Sequence, residues 1–179
     1  MKIGSKTPQA SVEFDGWEKI YEVELSSPSN SITISGLQGD TDEQYMLYGT
    51  IESIGVTGVV GLTINGDSGD NYSYQILFGT DSTISASRAT TSSMACCVLL
   101  SDGYFGFFNV LIYAKSGYIR TCLISSTRDV NETAITRIDL SGRNWNNTSD
   151  EITSMNISAV GAGNFAIGST ISLYRRISQ

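Results

Sequence analysis

The chain contains no histidine, two prolines and few charged residues, and each shortage excludes a class of protein. Without histidine, the side chain that most often serves as a general base near neutral pH is missing, and with it every Ser-His or Cys-His catalytic arrangement. A Cys/His zinc site is excluded for the same reason. Charged residues make up 16% of the chain, against roughly 25% in ordinary globular proteins. Such a composition is typical of β-rich proteins with uncharged polar surfaces.

Long apolar runs are also absent. The longest, Met94–Leu100, is too short to cross a bilayer, and Met1–Lys6 lacks the apolar core of a signal peptide. We therefore predict no membrane association and a protein made in the cytoplasm without an export signal. The net charge of −7, with Arg175-Arg176 as the one short basic pair, disfavours direct binding of nucleic acid.

The three cysteines give no clear disulfide pattern. Cys96 and Cys97 are adjacent, so in a strand they point to opposite faces and are poor candidates for bonding each other. Either can pair with Cys122, but the odd count and the apolar flanks favour buried free thiols.

Turn signals divide the chain into short strands. Residues 1–16 contain Pro8 and show no sustained periodic pattern of apolar residues. We predict an N-terminal arm there, followed by one domain over residues 17–179. The segment Trp17–Leu25 alternates apolar with charged residues, as a strand with one buried face does. Similar segments recur every 8–12 residues or so, which indicates an all-β fold. We predict a two-sheet antiparallel β-sandwich, jelly-roll-like, with about ten strands.

Three polar segments are interpreted as connections between strands. Gly36–Glu43 is predicted as a loop, Gly79–Ser93 as a polar stretch, and Gly142–Thr148 as a loop that follows the strand Ile135–Leu140. The last loop carries Trp145, which either plugs the end of the sandwich or serves as a binding anchor. Plugging is the favoured interpretation.

Carboxylates are the remaining candidates for catalysis. Asp40, Asp42 and Glu43 share one loop, and Asp67 and Asp70 share another. A glycosidase needs two carboxylates about 5–10 Å apart across a sugar, and nothing in the sequence places these groups so. Loop aspartates more often cap turns with their own side chains. We therefore predict that the chain is not an enzyme, and a carboxylate-based hydrolase is the weakest alternative.

The segment Asn65–Asn71 is the densest turn signal in the chain. Its carboxylate and carbonyl oxygens suit Ca²⁺, but the closing glutamate of an EF-hand loop is missing, so calcium is the lesser interpretation and no other cofactor is expected. The favoured interpretation is a tight hairpin in which Gly66 and Gly69 supply positive φ angles.

Aromatic residues offer a second kind of site. Tyr72 and Tyr74 lie on one predicted strand face, and exposed tyrosines on a sheet would form a platform on which sugars stack. The phenylalanines are predicted to be core residues, whereas for the tyrosines core and platform are balanced. The candidate contacts to a ligand or partner are Tyr72, Tyr74, Asp67, Asp70 and Trp145.

Five segments occur in an order that is similar to a known domain. They are Ile34–Leu37 with Gly39–Tyr45, Leu62–Gln75, Trp145–Thr148, Ile152–Ser154, and Ile167–Ser169 continued by Leu173–Arg175. The series resembles a β-sandwich domain that recurs in structural proteins of tailed phages, over about residues 30–175. The resemblance supplies no catalytic residues.

This resemblance implies a virion protein, either a capsid decoration protein or another minor subunit of the head or tail. Its expected partners are the major capsid protein or other virion proteins, and it is expected to be a homo-oligomer, with a trimer as the predicted state. Residues 1–16 would dock onto the shell. The alternative is a carbohydrate- or receptor-binding module of a tail fibre, which would bind a host glycan.

Overall fold

The computed structural model describes residues 16–55, 58–99, 102–130, 134–161 and 163–177. The described part of the chain forms thirteen strands and one short helix. The strands are β1 (Trp17–Glu24), β2 (Ser31–Ser35), β3 (Gln44–Ile54), β4 (Val59–Ile64), β5 (Tyr72–Thr80), β6 (Thr83–Thr91), β7 (Met94–Val98), β8 (Tyr104–Tyr113), β9 (Arg120–Val130), β10 (Ala134–Trp145), β11 (Ser154–Val160), β12 (Asn164–Phe165) and β13 (Thr170–Arg176), and the helix is α1 (Gly39–Asp42).

Two antiparallel sheets form a sandwich. The large sheet has the order β1-β13-β3-β8-β9-β10-β5-β6, with β12 also paired to β3, and the small sheet has the order β2-β11-β4-β7. The predicted all-β, two-sheet architecture is confirmed, although the described residues contain more strands than the ten or so expected. Within the described ranges, no helix is long and apolar enough to cross a membrane.

The core lies between the two sheets. Every second residue of β3 and β8 points toward the small sheet, as strand geometry requires, so Leu47, Phe108 and Val110 are fully buried. Gly49 in β3 leaves space for the Phe108 ring, because a Cβ at Gly49 would lie 2.2 Å from that ring. The small sheet contributes Ile32, Ile34, Val60, Leu62, Ile64, Met94, Met155 and Ile157.

The turn after β4 differs from the predicted hairpin. Asn65 and Gly66 adopt positive φ angles of 53° and 70°, whereas Gly69 does not. The turn carries the chain from β4 in the small sheet to β5 in the large sheet, so the two strands cannot pair. The Asn65 side chain instead donates to the Glu151 carbonyl at 2.6 Å and accepts from the Thr153 amide at 2.9 Å.

Each of the three predicted connections contains regular structure. Gly36–Glu43 includes α1, Gly79–Ser93 includes all of β6, and β10 continues through Gly142 to Trp145. The strand β6 and the second half of β10 were not predicted, because both segments are rich in polar residues and pair through their backbones with β5. The predicted arm lies outside the described residues except for Gly16, so its boundary stays a prediction.

The three cysteines are free and buried, as predicted. Burial raises the pKa of the Cys97 and Cys122 thiols to about 12, because a thiolate is poorly solvated there. The native protein therefore holds them as inert core side chains.

Candidate binding face

One side of the large sheet faces away from the small sheet and carries exposed apolar side chains. We use the term outer face for the outward-pointing residues of five strands. They lie within Ser73–Gly79 of β5, Ile84–Thr90 of β6, Phe107–Tyr113 of β8, Thr121–Thr127 of β9 and Ile138–Asn144 of β10. Its large apolar side chains are between 40% and 84% exposed. They are Leu77, Ile84, Phe107, Leu111, Leu123, Ile138 and Leu140.

Strand register joins these side chains into a continuous patch. Leu140 lies directly opposite Leu77 in the β10–β5 pair, and Leu123 lies directly opposite Leu111 in the β9–β8 pair. Directly opposed residues have Cβ atoms about 5 Å apart, and diagonal neighbours remain within reach of long side chains. The apolar residues therefore form one surface rather than isolated exposed leucines.

Charge is nearly absent from the outer face. Arg88 in β6 is the only charged residue among its outward positions, and it lies opposite Gln75. The other polar members are serine, threonine, asparagine and glutamine. This neutrality is unusual in a chain that carries 18 acidic and 11 basic residues.

Most charged residues of the same strands point inward instead. In β10, Asp139 and Arg143 lie on the inner side, where Arg137 pairs with Asp139 at 2.8 Å and the Arg143 guanidinium lies 4.8 Å from the centre of the Tyr74 ring. Burial lowers the pKa of Arg143. The usual polarity of a sandwich strand, apolar inside and polar outside, is thus inverted along β10.

A polar cleft adjoins the apolar patch on the outer face. It has a volume of about 690 Å³ and crosses β6, β5, β10 and β9. Gly142 forms its floor, and a Cβ there would meet no atom within 4 Å. The outward side chains along the cleft are Ser73, Gln75, Arg88, Thr90, Thr121 and Asn144, with Ile119 at one end.

Asp67 and Trp145, two of the residues predicted as contacts, bind each other. The Trp145 indole Nε1–H donates to Asp67 Oδ2 at 2.7 Å, and Asp67 Oδ1 accepts from the Gly69 amide at 2.9 Å. The indole hydrogen bond is the main cause that lowers the pKa of Asp67. Trp145 is 1% exposed, so its side chain plugs the sandwich, as the favoured interpretation held.

Of the two tyrosines predicted as contacts, Tyr72 is a core residue and Tyr74 is not. Tyr72 is 1% exposed, and its hydroxyl accepts from the Ile64 amide at 2.9 Å and donates to the Asp67 carbonyl at 3.0 Å. Tyr74 is half-buried beneath Arg143 on the inner side, and Asp70 is exposed in the turn. The structure therefore joins Asp67, Tyr72 and Trp145 in one hydrogen-bonded group. Tyr74 and Asp70 lie outside this group.

The carboxylates near α1 are bound by neighbouring protein groups. Tyr45 Oη donates to the buried Asp42 at 2.6 Å, Asp40 accepts from the Ser116 amide at 2.5 Å and its hydroxyl at 2.8 Å, and Glu43 pairs with Lys115. The two hydrogen bonds from Ser116 lower the pKa of Asp40. These contacts hold the α1 region against β3 and against the loop between β8 and β9.

The described residues contain no group of three or more cysteine, aspartate or glutamate side chains arranged to hold a metal ion. Calcium at Asn65–Asn71, where backbone and amide oxygens could also serve as ligands, stays the lesser interpretation of this turn.

The outer face was not predicted from the sequence, because its residues are spread over five strands. Leu77, Leu123 and Leu140 are each unremarkable in the sequence. One signal was present: the alternation of Ile138, Asp139, Leu140, Ser141 and Gly142 shows that β10 has two unlike faces. It does not show which of them is exposed.

Comparison with known protein families gives no match, and comparison with curated proteins gives none either. Among solved structures, the chain is similar to two mutants of the alginate lyase Aly36B. The mutant in complex with alginate tetrasaccharide is 11% identical with a TM-score of 0.30, covering 94% of this chain and 84% of that one. The mutant with alginate trisaccharide is 10% identical with a TM-score of 0.32, covering 92% and 83%.

Proposed function

We propose that this chain is a structural subunit of a virion that works by binding a neighbouring protein through the outer face. The observation that carries the proposal is the contiguous apolar patch of the outer face. It includes β10, whose polarity is inverted, with leucine and isoleucine outside and arginine and aspartate inside. Contiguous exposed apolar patches on a soluble protein mark interaction surfaces, because leaving them in water is unfavourable.

The size of the outer face suits such a contact. Five strands about 4.8 Å apart, with about seven residues each, span roughly 500–600 Å² of projected area. A standard protein interface buries about 800 Å² on each partner. The neutral polar residues around the leucines match the pattern of an apolar centre with a polar rim.

The phage assignment rests on the resemblance of the five ordered segments, from Ile34–Leu37 to Leu173–Arg175. The expected partner is the major capsid protein or another virion protein, and the expected place is the virion surface. A capsid decoration protein needs a stable fold and a complementary surface, but no catalytic group.

A lysine on the outer face tests the proposal. Leu140→Lys places a charge in the centre of the patch, and Leu140 is 51% exposed, so the fold should persist. We expect this variant to lose at least about tenfold in affinity for particles that lack the protein, since burying an unpaired charge is costly. Sedimentation of particles with bound protein measures the loss.

The matched control is Ile167→Lys, because Ile167 is also exposed, at 61%, but lies in the turn before β13. It should bind particles like the unmodified protein. Equal binding by Leu140→Lys and the unmodified chain would contradict a role for the outer face, and an electron-microscopy map of the particle would locate the true contact.

Binding of a neutral glycan is the second candidate function. The polar cleft supports it, because amide and hydroxyl groups of Gln75, Asn144 and Thr121 line a groove whose charged lining residues are Arg88 and the buried Arg143. Gly142→Phe would fill the floor of the cleft. Binding of uncharged oligosaccharides on a glycan array, abolished by this variant, would favour a receptor-binding module over a decoration protein.

A further inference from the structure

The two edges of the large sheet are protected to very different degrees. The β1 edge carries Glu18, Lys19, Glu22 and Glu24 among its eight residues, and its register shifts between Lys19 and Tyr21. Charges and bulges of this kind prevent an edge strand from pairing with another chain.

The β6 edge is much less protected. Thr83–Thr91 runs nine residues without proline, has an unshifted register against β5 and carries one charge, Arg88. It is the last strand of the sheet. Seven of its nine residues are exposed and the other two are half-exposed, so β6 is held mainly by its pairing with β5. Alternate residues direct their N–H and C=O groups away from β5 toward open space.

We propose that β6 pairs antiparallel with β6 of a second copy of this chain, across a twofold axis at Ser87. Ser87 is the midpoint of Thr83–Thr91, so this register overlaps the whole strand with itself. It places Arg88 opposite Ala86 of the partner subunit, and the two arginines do not face each other. The two large sheets then form one continuous sheet.

A second copy suits this edge better than other occupants. A ring built by pairing β6 with β1 of the next subunit would meet four charged residues and the bulge on β1. A twofold pair meets neither. Because both copies keep the same side of the sheet outward, their outer faces join into one surface of twice the area. The inference thus rests on the proposed function and extends it, since the dimer would present that larger surface to the virion.

Charge substitutions at position 87 test the register. Ser87 is exposed, so Ser87→Asp and Ser87→Lys should fold normally. In the proposed dimer each residue lies directly opposite itself, and like charges at about 5 Å should weaken dimerisation roughly tenfold or more. An equimolar mixture of the two variants should restore dimers, because aspartate then faces lysine. Sedimentation equilibrium measures each mass against the 19.3 kDa of one chain.

The matched control is Ser35→Asp, the same change at an exposed position on the edge strand β2 of the small sheet. It should dimerise like the unmodified chain. A monomeric unmodified chain, a dimer insensitive to charge at position 87, or a trimer would each overturn the inference. Particle binding separates the two proposals: loss with Leu140→Lys alongside an unaffected Ser87→Asp dimer would refute the β6 pairing and leave the proposed function standing.

Discussion

Asp67 connects the turn after β4 to the end of β10 through one hydrogen bond from the Trp145 indole. The sequence favoured both a turn-capping aspartate and a plugging tryptophan. It did not show that the two residues are partners, because 78 positions separate them. Contacts at that separation depend on which strands become neighbours.

Removing the indole donor should destabilise the protein. Trp145→Phe keeps most of the buried ring but deletes the Nε1–H, and hydrogen bonds to charged groups contribute about 1.5–3 kcal/mol. We expect a loss of that size in the free energy of unfolding at neutral pH, measured by urea denaturation. The control Asp70→Asn, in the same turn but exposed, should change it by less than about 0.5 kcal/mol.

The effect should depend on pH in a defined direction. The pKa of Asp67 is lowered from 3.8 in the folded state, so its contribution is present above that value and is lost as the pH falls through the folded pKa. The stability difference between the unmodified chain and Trp145→Phe should therefore shrink below about pH 3.8. A constant difference down to pH 2 or so would show that lost packing, rather than the hydrogen bond, dominates.

At the scale of the strand, glycines in β8 and β10, the two strands that flank β9, have opposite surroundings. A Cβ at Gly106 in β8 would lie 2.6 Å from Cys97 Sγ and 2.8 Å from Leu99 Cδ2, whereas a Cβ at Gly142 in β10 would meet nothing within 4 Å. Gly106 thus allows β7 to approach β8 closely, and Gly142 leaves the cleft floor open.

The same substitution should therefore have opposite effects at the two sites. Gly106→Ala forces the core apart and should cost about 1–3 kcal/mol. Gly142→Ala should be neutral or slightly stabilising, by up to about 0.5–1 kcal/mol, because alanine loses less backbone entropy on folding. Urea denaturation of the two variants measures both. Equal losses would mean that the strand backbone, rather than the local space, decides the outcome.

Strands were predictable where one side is apolar and buried, as in β3 and β8. They were missed where pairing alone stabilises a polar segment, as in β6 and the second half of β10. Local sequence carries the period of a strand, but not the presence of a neighbour that satisfies its backbone.

For the whole molecule, charge is segregated. The net charge is −7, yet the outer face carries Arg88 alone. Binding through this face should therefore depend on burial of apolar surface rather than on ion pairs. An acidic protein that bound through its charged edges would behave differently, since added salt screens exposed ion pairs.

Ionic strength should distinguish these modes of binding. We expect the affinity for particles to fall by less than about twofold when salt rises from roughly 0.05 to 0.5 M, because screening leaves an uncharged contact unaffected. Sedimentation binding assays at several salt concentrations provide the measurement. A steep fall would assign the contact to charged residues such as those of β1.

The sequence by itself determined the fold class and the absence of histidine, because composition, turn residues and alternating polarity can be read along the chain. It also identified buried free thiols and the plugging role of Trp145. The tertiary structure alone decided which side of β10 faces water and that β6 is an unprotected edge. The first depends on which side the small sheet covers, since a strand with two unlike faces can bury either one until a second sheet packs on it. The second depends on the strand order of the large sheet, in which β6 is last.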